Sequence, residues 1–382
     1  MKRILSLFFA LIVSALCFLP TTVNAEEQVS LNGEAKSVIL MEAQSGKVLY
    51  EYQADMRLPP ASVTKIMTIL LVVEELDKGT IKPDDTVQVS ERASKIGGSQ
   101  IYLKAGEIMT VNDLLKSVVI ASANDAATAL AETVSGSVEA FVKKMNDRAR
   151  ELGMKSTSFE NPTGLDDTVK EHLTSARDIA IMSRELIKHK VIFQYTTVWM
   201  DTIRDGAFGL TNTNRLIRFY KGANGLKTGY TSGAGFCISA TAERDGMQLI
   251  AVVMGSPTRD SRNETAKALL DYGFANYRHY SSPRKDIGEI TVKGGVNDRC
   301  PLICEEFSSV LTKDIYAKGI KTEINVPDSI KAPIKAGETV GEIVFKCGDT
   351  VIGKSDVRAA STVRRISFLQ ILKELVLSFF YK

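Results

Sequence analysis

Histidine and cysteine are scarce in this chain: 382 residues hold three histidines (His172, His189, His279) and five cysteines, none in a Cys-x-x-Cys pair. That leaves little material for a zinc site. Hydrolytic chemistry is therefore expected to run without metal, without a cofactor and without a catalytic histidine. An excess of one charge is missing too. Lys and Arg number 48 against 45 Asp and Glu, a net of +3, too even for a chain whose main work is coating nucleic acid. Also absent are Gly-x-Ser-x-Gly, His-Glu-x-x-His, a phosphate-binding loop and a dinucleotide fingerprint. No internal repeat or low-complexity segment occurs.

The one long hydrophobic run is at the start. Lys2-Arg3 precede an apolar stretch from Ile4 to Leu19, and Val23-Asn24-Ala25 has small residues at the spacing a signal peptidase needs, so residues 1–25 read as a secretory signal. An uncleaved anchor is the alternative, although the stretch is short for a bilayer span. Cys17 follows Leu16, which does not suit a lipoprotein anchor. Cys237, Cys300, Cys304 and Cys347 would remain outside the cell. Four in so long a chain are too few for a disulfide scaffold, and buried thiols are the favoured reading.

Three further stretches differ in texture. From Glu26 to Ser282 helical patterns alternate with short strands, without a structureless linker, and read as one α+β domain. Within it, Val38–Met41 and Val48–Tyr52 flank a Gln44-Ser45-Gly46 turn, and Gly235–Thr241 and Gln248–Gly255 flank Arg244-Asp245-Gly246. Both pairs predict hairpins, the second at the heart of a sheet. Pro59-Pro60 opens a helix through Leu76, and Thr110-x-x-Asp113 and Ser122-x-x-Asp125 match capping boxes for two more. Residues 283–362 carry short alternating runs broken by Gly and Pro, a small all-β domain. Residues 363–382 form an amphipathic helix, with Phe368, Leu369, Ile371, Leu372, Leu375 and Val376 on one face and Gln370, Lys373 and Glu374 opposite. Too short and too charged to span, it is expected to lie on a membrane surface with Arg364, Arg365, Lys373 and Lys382 at anionic headgroups; docking on its own protein is the alternative.

What remains for catalysis is a serine activated by lysine. Ser62-Val63-Thr64-Lys65 begins the Pro59-Pro60 helix. Residues three apart share a helix face, so Lys65 can reach the Ser62 hydroxyl, and a helix N-terminus favours negative charge developing there. The run Ile66–Val73 is apolar on all sides, so the helix must be buried. Burial disfavours the Lys65 ammonium and lowers its pKa toward that of a base. Alone the motif is weak, since Ser-x-x-Lys recurs at Ser282–Lys285 and Ser-x-Asn occurs three times. Ser122 could simply cap a helix, and Lys227-Thr228-Gly229 could be an ordinary turn.

Order is what distinguishes them. Ser62-x-x-Lys65, Ser122-x-Asn124 and Lys227-Thr228-Gly229, 60 and then 105 residues apart, resemble the motif set of penicillin-interacting serine enzymes. Further segments, Asn161-Pro162-Thr163-Gly164-Leu165-Asp166, His172 to Asp178 and Asn212-Thr213-Asn214-Arg215-Leu216, resemble the low-molecular-mass D-alanyl-D-alanine carboxypeptidases. That resemblance implies a β-lactamase/transpeptidase-like antiparallel sheet flanked by helices. It also implies peptidoglycan pentapeptide stems as substrate and β-lactams as covalent inhibitors, on the extracytoplasmic face of the membrane. Ser62 would attack the penultimate D-Ala carbonyl with Lys65 as base. Ser122 would relay the proton to the leaving amine, and Asn124 would hold Lys65 and the substrate amide. Lys227 and Thr228 would take the terminal carboxylate, and the Ser62 and Tyr230 N–H groups beside Gly229 would form the oxyanion hole. Arg262 is at a position where relatives carry an arginine assisting with the carboxylate; a surface ion pair is the alternative. His172 falls in a structural segment and stays outside the site.

Three rival functions share these motifs. A class A-like β-lactamase would need a Glu-x-x-x-Asn loop between Asn124 and Lys227, and none occurs. An endopeptidase on D-Ala cross-links would use the same constellation. A non-catalytic sensor of wall peptide or β-lactam would keep the fold, though the presence of every catalytic residue type argues against it.

Overall fold

The computed structural model describes residues 30–166 and 169–380; the expected signal segment lies outside them. At its centre is a five-stranded antiparallel sheet built from β1 (Ser37–Glu42), β2 (Val48–Tyr52), β3 (Ala223–Thr231), β4 (Gly235–Arg244) and β5 (Met247–Ser256), in the spatial order β2-β1-β5-β4-β3. The β4–β5 turn places Asp245 and Gly246 at φ +49° and +75°, the left-handed pair that matches strand twist in a tight hairpin. Every residue of β1 and β5 is buried because both sheet faces are covered, which is why these strands read as unbroken apolar runs.

Alternate side chains serve different cores. Val38, Leu40, Leu249, Ala251 and Val253 pack with Ala266, Leu269 and Leu270 of the long C-terminal helix of this domain, Arg259–Asn276. Ile39, Met41, Ile250, Val252 and Met254 face the larger helical layer. That layer includes α1 (Lys65–Asp77), α2 (Val111–Ile120), α3 (Asn124–Ser135) and α4 (Ala176–Leu186). From Lys65 to Val73, α1 has no residue more than 2% exposed, as its all-round apolar sequence requires. Thr110 caps α2 by accepting from the Asp113 N–H. The second box fails: α3 begins after Ala123, with no side-chain cap, and Ser122 stands at φ +64°.

Beyond residue 282 a six-stranded sheet forms, in the spatial order 320–325, 339–347, 350–359, 299–304, 285–293 and 329–331, the last pair parallel. Its core includes Ile290, Leu302, Ile343, Phe345 and Val357. Strand Tyr277–Ser282 continues directly from the long helix and pairs antiparallel with Phe307–Thr312. The two halves also meet where Lys47 Nζ donates to the Val310 carbonyl at 3.1 Å. Cys237, Cys300, Cys304 and Cys347 are all free and buried. Phe368–Phe380 is helical, with Phe368 77% and Leu369 76% exposed; among the described residues, no helix is long and apolar enough to cross a membrane.

Candidate active site

Ser62 is held by a 3-10 turn, Ala61–Thr64, that runs straight into α1. Ala61 takes φ +49°, a conformation L-residues resist unless their surroundings impose it. What imposes it is the loop Asn161–Leu165: Gly164, at φ +82°, passes so close that a Cβ there would stand 1.8 Å from the Ala61 carbonyl oxygen. Asn161 Oδ1 organises that loop by accepting from the backbone N–H groups of Thr163 and Gly164, and Thr68 of α1 donates to the Pro162 carbonyl.

The same loop receives Lys65. Its Nζ lies 2.8 Å from Ser62 Oγ and 2.8 Å from the Thr163 carbonyl oxygen, with the residue 0% exposed. Burial pushes the Lys65 pKa well below that of an ordinary lysine, the Lys227 cation adds to this, and the Asp125 carboxylate opposes it. A neutral amine has two N–H donors and one lone pair. With one N–H given to Thr163, the lone pair is free to take the Ser62 proton. Thr163 has no motif letter among the three catalytic segments, so sequence reasoning named its stretch without assigning it this task.

Ser122 and Asn124 enter from the α2–α3 junction, 3% and 2% exposed. Asn124 Nδ2 donates to the Gly97 carbonyl at 2.7 Å, while its Oδ1 is buried with no hydrogen-bond partner. The expected bond from Asn124 to Lys65 is therefore not how Lys65 is held in this state; Ser62 and Thr163 do that. Asp125 instead ties down the facing wall by accepting from the Ile101 and Leu103 N–H groups.

Strand β3 closes the other side. Gly229 is required by contact: a Cβ would stand 2.9 Å from Pro60 O and from Ser62 N, and 3.0 Å from Val63 N. This crowding brings β3 against the Ser62 amide, the place for an oxyanion hole. Thr228 Oγ1 donates to Thr213 Oγ1 at 2.8 Å. Tyr230 is 57% exposed, its ring tilted on Phe236 of β4 at 4.3 Å. Lys227 is 1% exposed; burial and then repulsion from Arg262 bring its pKa down to about 7.

Arg262 is no surface ion pair. It is 3% exposed, and its guanidinium donates to Asn263 Oδ1 and to the Cys237 carbonyl, so burial lowers its pKa to about 10. Ser62, Ser122, Thr228, Gly229, Tyr230 and Arg262 all line one cleft of about 880 Å³. His172 lies behind it. Its Nδ1 accepts from the Glu160 N–H, so its Nε2 carries the proton and donates to Thr64 Oγ1 at 2.7 Å, a buried, uncharged prop with its pKa lowered by burial to about 4.

A serine on a helix-start turn, a buried lysine against its hydroxyl, and a Lys-Thr-Gly edge strand facing both define a serine peptidase of the penicillin-interacting fold. Residues 22–258 match the family described as D-alanyl-D-alanine carboxypeptidase, and residues 282–365 match the Penicillin-binding protein 5, C-terminal domain. The chain belongs to the D-alanyl-D-alanine carboxypeptidase family. It is 44% identical to D-alanyl-D-alanine carboxypeptidase DacF of Bacillus subtilis, over 98% of this chain and 97% of that protein. Penicillin binding protein 5 from Haemophilus influenzae superposes with a TM-score of 0.76 at 31% identity, over 87% of this chain and 98% of that one. Penicillin-Binding Protein D2 from Listeria monocytogenes, in its ampicillin-bound form, does so at 0.59 and 32% identity, over 64% of this chain and 99% of its own.

Proposed function

We propose that this protein removes the terminal D-alanine from peptidoglycan stem peptides through an acyl-enzyme on Ser62. The observation that carries the reading is the fully buried Lys65 amine, its pKa pushed well below that of an ordinary lysine by burial, placed between Ser62 Oγ and the Thr163 carbonyl. Lys65 takes the Ser62 proton as Oγ adds to the penultimate D-Ala carbonyl. The resulting oxyanion sits between the Ser62 and Tyr230 N–H groups. The C–N bond then breaks, and Ser122 passes a proton to the departing D-alanine amine. Water hydrolyses the ester, returning the serine and freeing the shortened stem.

Lys227, Thr228 and Arg262 receive the terminal carboxylate. Two buried cations of lowered pKa, Lys227 and Arg262, neither with an ion-pair partner among the described residues, suit an incoming anion. Asn124, with its unpaired Oδ1, accepts from the substrate amide N–H. A β-lactam acylates the same serine. Residues 1–25 direct export, and the exposed apolar side chains of Phe368, Leu369, Ile371 and Leu372 support peripheral attachment to the outer face of the membrane, with the cleft toward the wall. Purified protein should release D-alanine from a diacyl-lysyl-D-Ala-D-Ala peptide and be labelled by a fluorescent penicillin. Loss of both in Ser62→Ala is expected; D-alanine release that survives it overturns the assignment.

A further inference from the structure

The two sides of the site come from stretches far apart in the chain. Loop 161–166 carries the Thr163 carbonyl that receives Lys65 and the Gly164 that crowds Ala61. Strand β3 brings Gly229 against the Ser62 amide, with Tyr230 next to it. One side chain joins the two. Asp166 Oδ2 accepts from Thr231 Oγ1 at 2.5 Å, and Thr231 is the last residue of β3. Thr231 Oγ1 in turn accepts from the Ala234 N–H at 3.0 Å, which braces the turn into β4. Among the described residues this is the only hydrogen bond between loop 161–166 and β3, β4 or their turn.

Both ends of the brace are fixed. Asn161 Nδ2 donates to the Leu165 carbonyl at 2.8 Å, while its Oδ1 accepts from the Thr163 and Gly164 N–H groups, so Asp166 follows directly on a closed loop. On the strand side, a Cβ at Gly233 would stand 3.1 Å from Asp166 Oδ2, so the turn packs onto the carboxylate. A hydroxyl bonded to a carboxylate at this length is charge-assisted and stronger than a neutral pair. Neither Asp166 nor Thr231 lines the catalytic cleft, so neither is placed to touch substrate.

We infer that Asp166 is a positioning residue for acylation: through Thr231 it locks the loop that holds Lys65 to the strand that bears the Tyr230 N–H. The inference rests on the Ser62 acyl-enzyme reading. Proton removal by Lys65 and stabilisation of the oxyanion must occur in one transition state, so the base and the oxyanion donors need a fixed separation. Ser62 and Lys65 share one turn and keep their own spacing. The separation of the Thr163 carbonyl from the end of β3 has no such covalent guarantee, and the Asp166–Thr231 bond supplies it.

The test measures fluorescent-penicillin acylation of the full-length exported protein by stopped flow, with rates referred to the sites that a saturating dose labels. Asp166→Ala and Thr231→Val should each lower the limiting acylation rate by about tenfold, short of the roughly hundredfold that a misplacement of about 1 Å costs. The half-saturating penicillin concentration should not change. Asp166→Asn, which keeps an acceptor, and Thr231→Ser, which keeps the hydroxyl, should retain most of the rate. The Asp166→Ala, Thr231→Val double variant should be no slower than the slower single variant, because both remove the same bond. If Asp166→Ala does not fold, Thr231→Val and Thr231→Ser carry the comparison alone. An unchanged limiting rate, a change confined to half-saturation, or losses that multiply in the double variant overturns the positioning role. A wild-type protein that forms no penicilloyl adduct overturns the underlying acyl-enzyme reading instead.

Discussion

Lys65 differs from a surface lysine through its neighbours more than its sequence. Burial, the Lys227 cation and the Thr163 carbonyl all act on one amine, and together they make the neutral form available at the serine. Lys65→Arg keeps a long basic side chain but cannot deprotonate. It should lower kcat/KM for D-alanine release by about a hundredfold or more, the scale of general-base catalysis, while leaving the fold intact by circular dichroism. Lys227 gives a second prediction. In the proposed mechanism its ammonium form receives the carboxylate, and burial brings its pKa down to about 7, so kcat/KM should fall as pH rises through that value. Arg262 helps to depress that pKa, and Arg262→Gln removes its repulsion. Whatever the loss in height, the alkaline limb of the profile should move to higher pH; an unmoved limb contradicts the coupling. The motif residues themselves were legible in sequence. Thr163, Thr213 and the role of Asp125 were not, because each acts through a backbone or distant contact that no spacing encodes.

At the level of elements, the site is the meeting of a 3-10 turn, an edge strand and a loop, each shaped by close approach. Gly229→Ala places a methyl 2.9 Å from Pro60 O and Ser62 N, all rigid backbone, so β3 must shift away from the Ser62 amide. A loss of about a hundredfold in penicillin acylation rate is expected, the size seen when one oxyanion donor is lost, with the melting temperature changed far less than the rate. His172 tests the loop behind. Its folded pKa of about 4 lies below the ordinary 6.5, so the unfolded chain binds the extra proton between these values. The stability contributed by the neutral ring is present above pH 6.5 and is lost as pH falls through this window toward 4, at most about 3 kcal/mol for a shift of this size. The slope of melting temperature against pH should flatten there in His172→Gln. Hairpins and the buried helix were readable from turn residues and apolar runs. The Ser122 capping box was not, since its four-letter pattern fits a strained catalytic turn equally well, and only the φ of +64° separates them.

For the whole molecule, the catalytic cleft and the β-rich half are joined through the strand pair 277–282 and 307–312 and the Lys47–Val310 contact. The proposed peripheral attachment is tested through the terminal helix. Deleting residues 363–382 should move the protein from sedimenting anionic vesicles to the supernatant without reducing D-alanine release from a soluble peptide, and raised salt should weaken binding of the intact protein. Retention on vesicles after the deletion contradicts this. The change of texture at residue 283 was visible in sequence as alternating short runs. The strand order there, with its parallel edge pair, was not, because register between distant strands leaves no local trace.

The catalytic expectations depend on one covalent bond. Incubating the protein with benzylpenicillin and mapping the acylated peptide by mass spectrometry tests it directly. The predicted result is a single penicilloyl adduct on Ser62, absent from Ser62→Ala. An adduct on any other residue, or labelling that persists in Ser62→Ala, contradicts the account.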